Sequence, residues 1–179
     1  GPFVVGGDAR VTASALYYAG GPLPDAGVHW RVTATPGTFQ PPHWDEFQFG
    51  EFTPWWGWTP WFRPATSRTY EHDGRTNAAG EHALRMEFLE CVPPRATSVS
   101  AEASVQDVNR QAWSASASLL VHPSDAWVGV RAKTTFVERG EPLELMVVVV
   151  DRDGKPLPGT LVSLHAARMA GRWTSGGYR

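Results

Sequence analysis

Residues 16–32 read LYYAGGPLPDAGVHWRV, and residues 148–164 read VVVDRDGKPLPGTLVSL. The two stretches align without a gap at an offset of 134 residues, so that Pro22–Pro24 falls on Pro156–Pro158. Each places glycines and prolines between runs of β-branched or aromatic residues. Glycine tolerates the positive φ of tight turns, and proline fixes φ near the value that a turn needs. Both stretches are therefore predicted to be a strand, a tight reversal and a second strand.

The spacing of the two copies fits consecutive domains of one kind, because it is much longer than the period of a solenoid repeat. We expect a first domain over residues 1–124, with an aromatic-rich insertion at about 36–64. Residues 125–179 are expected to be the opening part of a second domain, incomplete in this chain. Its remaining strands are expected from further along a parent polypeptide, from a separate chain or from a symmetry mate.

Short stretches of alternating apolar and polar residues, separated by turn signals, run through the first domain. Val28 and Trp30 fall on one face of a strand and His29 on the other, which is the period of a half-buried strand. Residues 107–111 are expected to turn the chain into the last hairpin. About seven short strands without a helical period are typical of an all-β sandwich of the immunoglobulin or fibronectin III kind.

The second domain has a different pattern. Residues 145–150 read LMVVVV, an uninterrupted apolar run that predicts a strand buried on both faces. After the second turn, residues 161–166 are expected to form a further strand.

The insertion holds nine aromatic residues between Trp44 and Phe62, interrupted by prolines and glycines that prevent a long regular element. Large aromatic side chains bury about 150–250 Å² each, so this segment is expected to pack on something. Three interpretations remain open: a loop packed on its own or a neighbouring domain, a contact surface for another domain of the same polypeptide, and a carbohydrate platform. The rings available to stack on a sugar would be Trp55, Trp56, Trp58 and Trp61.

Composition and motifs exclude several classes of function. A net charge of −2 gives no basic surface for nucleic acid. No apolar run is long enough to cross a bilayer. The sequence lacks a nucleophile elbow, a His-Glu-x-x-His motif, a Walker loop and a dinucleotide fingerprint. We therefore expect a protein that is not an enzyme and has no catalytic residue and no cofactor.

Two groups of histidine and acidic residues are weak metal candidates. They are His72, Asp73, Glu81 and His82 across one turn, and His43, Asp45 and Glu46 in the insertion. A zinc or calcium ion needs several converging ligands, and turns are often acidic merely because they are solvated, so no metal site is expected. Cys91 is the single cysteine, has no neighbouring cation in sequence and is expected to be a half-buried, unreactive thiol.

Five short motifs follow one another along nearly the whole chain. They are Val11 with Leu16-Tyr17-Tyr18, Gly21-Pro22-Leu23-Pro24 and Val28-His29-Trp30; Phe47-x-Phe49-Gly50; Asp73-Gly74-Arg75-Thr76-Asn77-x-x-Gly80; Val105 to Gln111; and Val128-Gly129-Val130. This ordered set resembles the macroglobulin-like domains of bacterial alpha-2-macroglobulins.

The resemblance implies a scaffold fragment of a protease inhibitor that traps proteases after cleavage of a bait region. It implies a periplasmic protein, with a lipid anchor to the inner membrane outside this chain, whose partners are target proteases and other domains of the parent polypeptide. In that family the bait region interrupts a sandwich domain, and the tail Gly176–Arg179 looks like such an interruption. Many members carry a Cys–Gln thioester, but Cys91 is followed by Val-Pro-Pro, so no thioester is expected in this chain.

Two rival functions remain open at this point. The first is a carbohydrate-binding sandwich module that uses the tryptophan-rich insertion. The second is an adhesin-like surface array built from repeated sandwiches.

Overall fold

The computed structural model describes residues 2–50, 67–89, 94–107, 110–134, 136–138 and 140–166, and the backbone of 173–174 and 177–178. The regular elements in these residues are all strands. In chain order they are β1 (Phe3–Val4), β2 (Asp8–Ser14), β3 (Gly27–Pro36), β4 (Gln48–Phe49), β5 (Arg68–Arg75), β6 (Glu81–Glu87), β7 (Thr97–Gln106), β8 (Ala112–His122), β9 (Ala126–Ala132), β10 (Leu145–Asp151), β11 (Trp173–Thr174) and β12 (Gly177–Tyr178). Among the residues described, none forms an apolar helix with the length needed to cross a bilayer.

The chain divides into two compact units. The first consists of Gly1–Thr38 and Ala65–Asp125, and the second of Phe39–Pro64 and Ala126–Arg179. Residues 39–50 of the insertion thus group with the second unit. The expected division into a first domain over residues 1–124 and an incomplete second domain over residues 125–179 stays a prediction.

The first unit contains a five-stranded sheet and a two-stranded ribbon. The sheet has the order β1-β8-β7-β3-β5, and the ribbon pairs β2 with β6. β3 is antiparallel to both of its neighbours, so that Trp30 lies opposite Ala103 on β7 and opposite His72 on β5. β7 is followed by β8 as expected, and between them the Asp107 amide donates to the Gln111 carbonyl at 2.9 Å.

The core of the first unit lies between the sheet and the ribbon. Val28 and Trp30, 2% and 1% exposed, pack with Ala101 of β7 against Val11 and Leu84 of the ribbon. Alternation along β3 therefore buries one row of side chains, because successive residues of a strand face opposite sides. The predicted all-β sandwich is confirmed.

The two Pro-Leu-Pro corners are closed by the same three backbone hydrogen bonds. In the first they run from Tyr17 N to Gly21 O, from Gly20 N to Tyr17 O and from Leu23 N to Ala15 O, at 3.0, 2.9 and 3.0 Å. In the second they run from Asp151 N to Lys155 O, from Gly154 N to Asp151 O and from Leu157 N to Val149 O, at 2.9, 3.1 and 2.8 Å. The repeat in the sequence is thus a repeat in the structure.

Each corner needs a glycine at one aligned position. Gly20 and Gly154 have φ of 90° and 79°, a region that side chains other than glycine rarely adopt. In the first unit the corner transfers the chain from the ribbon to the sheet, since β2 and β3 belong to different layers.

The segment that follows the second corner differs from its first copy. Residues 161–166 form no strand, so the expectation of one is wrong. Leu164 aligns with Trp30 but is 60% exposed, because β3 lies between two strands and residues 161–166 have no ladder partner among the described residues. The expected burial of β10 on both faces holds only at its end: Val150 is 0% exposed, whereas Val147 is 41% exposed.

Thr76 fastens the first corner to the end of β5. Its hydroxyl donates to the Leu23 carbonyl at 2.6 Å and accepts from the Ala26 amide at 2.9 Å. Its own backbone amide donates to Ala26 O at 3.0 Å, and its carbonyl accepts from the Asp25 amide at 3.1 Å. Thr76 is 5% exposed, so these groups have little access to water.

Replacing Thr76 by valine is expected to destabilise the first unit by about 2–4 kcal/mol, because a buried N–H and a buried C=O each lose a partner. The matched variant Thr76→Ser keeps the hydroxyl and should cost less than about 1 kcal/mol. Urea unfolding of both variants measures the difference. Equal losses for valine and serine would show that the hydroxyl does not hold the corner.

Candidate functional site: the aromatic strap

Residues 39–50, here called the strap, are the described part of the insertion. In sequence they lie between β3 and β5 of the first unit, yet they form part of the second. β4 of the strap pairs antiparallel with β9, with Gln48 opposite Val130 and Phe49 opposite Gly129. The sheet of the second unit has the order β10-β9-β4, so the strap completes one side of β9.

A glycine on β9 makes room for the strap. The ring of Phe49 lies over Gly129, where an added Cβ would be 2.5 Å from Cζ and 2.7 Å from Cε1 of the ring. Phe49 is 9% exposed, so this contact removes most of its surface from water. Glycine inside a strand often marks such a close approach.

The second Pro-Leu-Pro corner holds the strap at another point. The indole N–H of Trp44 donates to the Gly154 carbonyl at 2.7 Å. A Cβ at Gly154 would collide with the carbonyl oxygen of Pro42. The lack of a side chain at Gly154 therefore allows both the turn and the close approach of the strap.

Aromatic contacts and one amide hold the strap in shape. The ring centroids of Phe39 and Trp127 are 4.8 Å apart, and those of Trp44 and Phe47 are 5.3 Å apart in an edge-on arrangement. Both separations suit favourable aromatic pairs. The side-chain amide of Gln40 donates to the carbonyl oxygens of Trp44 and Phe47, at 2.7 and 3.3 Å.

The described aromatic residues of the insertion thus pack within one unit. Trp55, Trp56, Trp58 and Trp61 lie outside the described residues. A carbohydrate platform built from those four tryptophans stays a prediction.

Three of the weak metal candidates are engaged in other contacts. Nδ1 of His82 accepts the indole N–H of Trp30 at 2.9 Å, and Asp73 pairs with His29 at 2.7 Å. In the strap, Glu46 forms an ion pair with Arg131. Within the described ranges no three His, Cys, Asp or Glu side chains are grouped to hold a metal ion. Cys91 lies outside those ranges.

No family model matches the sequence. The structure is similar to native alpha-2-macroglobulin of Escherichia coli, with a TM-score of 0.58, 14% identity, and coverage of 86% of this chain and 10% of that chain. It is also similar to the E. coli protein activated by porcine elastase, with a TM-score of 0.58, 16% identity and coverage of 86% and 13%. A Salmonella alpha-2-macroglobulin mutant matches with a TM-score of 0.58, 12% identity and coverage of 99% and 12%. The chain has an alpha-2-macroglobulin-like fold.

One relative that is similar in sequence is not named as an alpha-2-macroglobulin. It is circularly permutated Ras protein 2 of Dictyostelium discoideum, 26% identical over 183 residues that cover 92% of this chain and 4% of that protein. The present sequence has no phosphate-binding loop of the Walker type. This chain corresponds to a small part of each protein that it matches.

The strap contact can be tested by a double-mutant cycle. Phe49→Ala should speed amide exchange in β9 by at least about tenfold, because β9 loses a packed ring and its β4 partner. Gly129→Ala should have a similar effect, because its methyl group displaces that ring.

In the double variant the second substitution should add little, since the ring it would displace is already gone. Hydrogen exchange of residues 126–132 measures all four states, and Val128→Ala, on the other face of β9, is the control. Strictly additive effects of Phe49→Ala and Gly129→Ala would contradict the contact.

The hydrogen bond between Trp30 and His82 leads to a separate prediction. His82→Leu should cost about 1–3 kcal/mol of stability, because the buried indole N–H of Trp30 loses its acceptor. His72→Leu, on the neighbouring strand, should cost less than about 0.5 kcal/mol. Thermal unfolding separates the two, and equal losses would show that His82 is not specifically needed by Trp30.

Proposed function

We propose that this chain is a non-enzymatic scaffold segment of an alpha-2-macroglobulin-type protease inhibitor. The observation that supports this most is that single structural matches to alpha-2-macroglobulins extend over 86–99% of the chain, and so across both units. The two equivalent corners add support, because a repeated corner is expected of consecutive domains of one kind in one polypeptide.

The strap suggests how such a segment would act. The chain leaves β3 of the first unit, builds β4 of the second and returns to the first unit at β5. The sheet of the second unit therefore depends on a loop whose two ends belong to the first. In our proposal this link transmits a rearrangement that follows bait cleavage.

The full-length protein would then have target proteases and its own other domains as partners. We place its bait region outside the described residues, locate the protein in the periplasm and assign any lipid anchor to a part outside this chain. Support comes from the family resemblance and from the E. coli relative, which is named as activated by porcine elastase and by trypsin.

The test uses the full-length protein that contains this segment. It is incubated with a near-equimolar amount of elastase, and the remaining activity is measured on casein and on a small chromogenic peptide. A trapped protease should lose most of its activity on casein and keep its activity on the peptide, because a cage excludes large substrates. Full activity on both substrates would overturn the proposal.

A strap variant separates the scaffold role from bait cleavage. Gly129→Ala should leave bait cleavage unchanged on a gel but weaken the protection of casein, while Val128→Ala should behave as the parent protein. Normal trapping by the Gly129→Ala protein would show that the strap has no part in the mechanism.

A further inference from the structure

A cavity of about 350 Å³ opens inside the first unit, between β5 and β6. It exists because the two-stranded ribbon is narrower than the five-stranded sheet that it covers. The inner face of β5 extends past the ribbon, with Tyr70 opposite Val32 and Arg68 opposite Ala34 of β3. Tyr70 is 55% exposed as a result.

The floor of the cavity is apolar. Leu84, Met86 and Phe88 line it from the ribbon side, and Val32 and Val99 line it from the sheet. Its volume falls in the range of small-molecule sites, which are commonly apolar with a few polar groups at defined points. An apolar tail of a ligand would replace water on these side chains.

The end of the cavity near Ala34 is positively charged. Arg68 occupies a position that faces inward on β5, where alternation in the neighbouring strand β3 places apolar residues. Arg95 also lines the cavity and precedes Thr97, which lies opposite Pro36 at the same end of β3. Arg68 therefore supplies a positive charge at one end of an apolar cleft.

The other charged groups of the lining do not cancel this charge. Glu71 pairs with Arg31 at 3.3 Å, and Arg85 pairs with Asp8 at 3.1 Å. Glu87 borders the cavity, but its side chain alternates with the inward-facing Met86 and so points toward the outer side of the ribbon. Arg68 forms no ion pair with the described residues, so its guanidinium is available to an anion.

We propose that this cavity binds an amphipathic carboxylate, with an apolar tail on Leu84, Met86 and Phe88 and a carboxylate on Arg68. Guanidinium groups bind carboxylates through paired, charge-assisted hydrogen bonds. A saturated acyl chain of medium length fits an apolar cleft without leaving polar groups unpaired.

The experiment is a calorimetric titration of the 179-residue chain with sodium decanoate below its micelle concentration. Decanoate should bind with one-to-one stoichiometry. Decyltrimethylammonium, which has the same tail and the opposite charge, should bind at least about tenfold more weakly. Equal binding of the two amphiphiles would overturn the proposal, because the site would then recognise only the tail.

Two variants test the two ends of the site. Arg68→Gln should weaken decanoate binding about tenfold, while Arg10→Gln, which removes the same charge from the outward face of β2, should not. Ala34→Leu should weaken binding by filling the cavity, while Thr33→Leu, on the other face of the same strand, should not.

Circular dichroism of each variant verifies that the strands are retained. Binding that is unchanged by both Arg68→Gln and Ala34→Leu would place decanoate elsewhere on the chain. These results are independent of protease trapping, so failure here leaves the proposed function standing.

Discussion

The structure depends on a constraint at Gly154. Its positive φ lets the amide donate to the Asp151 carbonyl and close the second corner, and its carbonyl accepts the indole N–H of Trp44. Since no side chain projects there, the backbone at Pro42 can approach the corner. One residue therefore fixes both the reversal of the second unit and the path of the strap. Its first copy, Gly20, has only the turn to satisfy, because an added Cβ there would meet nothing within 4 Å.

The same architecture explains the stable and the open parts of the first unit. A ribbon of two strands covers the rows that contain Val28 and Trp30, and these become the least exposed side chains of the sandwich. It does not reach the inner face of β5, where Arg68 and Tyr70 replace the apolar residues of a core. The packed rows and the cavity beside them thus follow from the difference in width between the two layers.

Much of the fold could be predicted from the sequence, because local chemistry determines it. The Pro-Leu-Pro corners, the alternation along β3 and the turn at residues 107–111 depend on neighbouring residues, and the structure contains them. The partner of a strand is set by distant contacts. For this reason residues 161–166 have strand-like composition but form no ladder, and the apolar run of β10 did not show which of its faces would be covered.

For the same reason, the sequence did not predict where the insertion packs. Its aromatic residues showed that it must pack, but they did not say where. The signals that point to the answer lie far away in the chain, at Gly129 and Gly154, and each has an ordinary local explanation as a strand or turn glycine. The partner of His82 was likewise set by a distant contact, since it is an indole N–H on another strand.

The central claim is that a loop anchored in the first unit forms a strand of the second, in the register that places Gln48 opposite Val130. Cross-linking of paired cysteines tests it most directly, in a background where Cys91 is replaced by serine. Gln48→Cys with Val130→Cys should form a disulfide quantitatively under mild oxidation, because opposed strand residues lie within bonding distance. Gln48→Cys with Val128→Cys, two residues out of register, should stay reduced. Equal oxidation of both pairs, or of neither, would contradict the account.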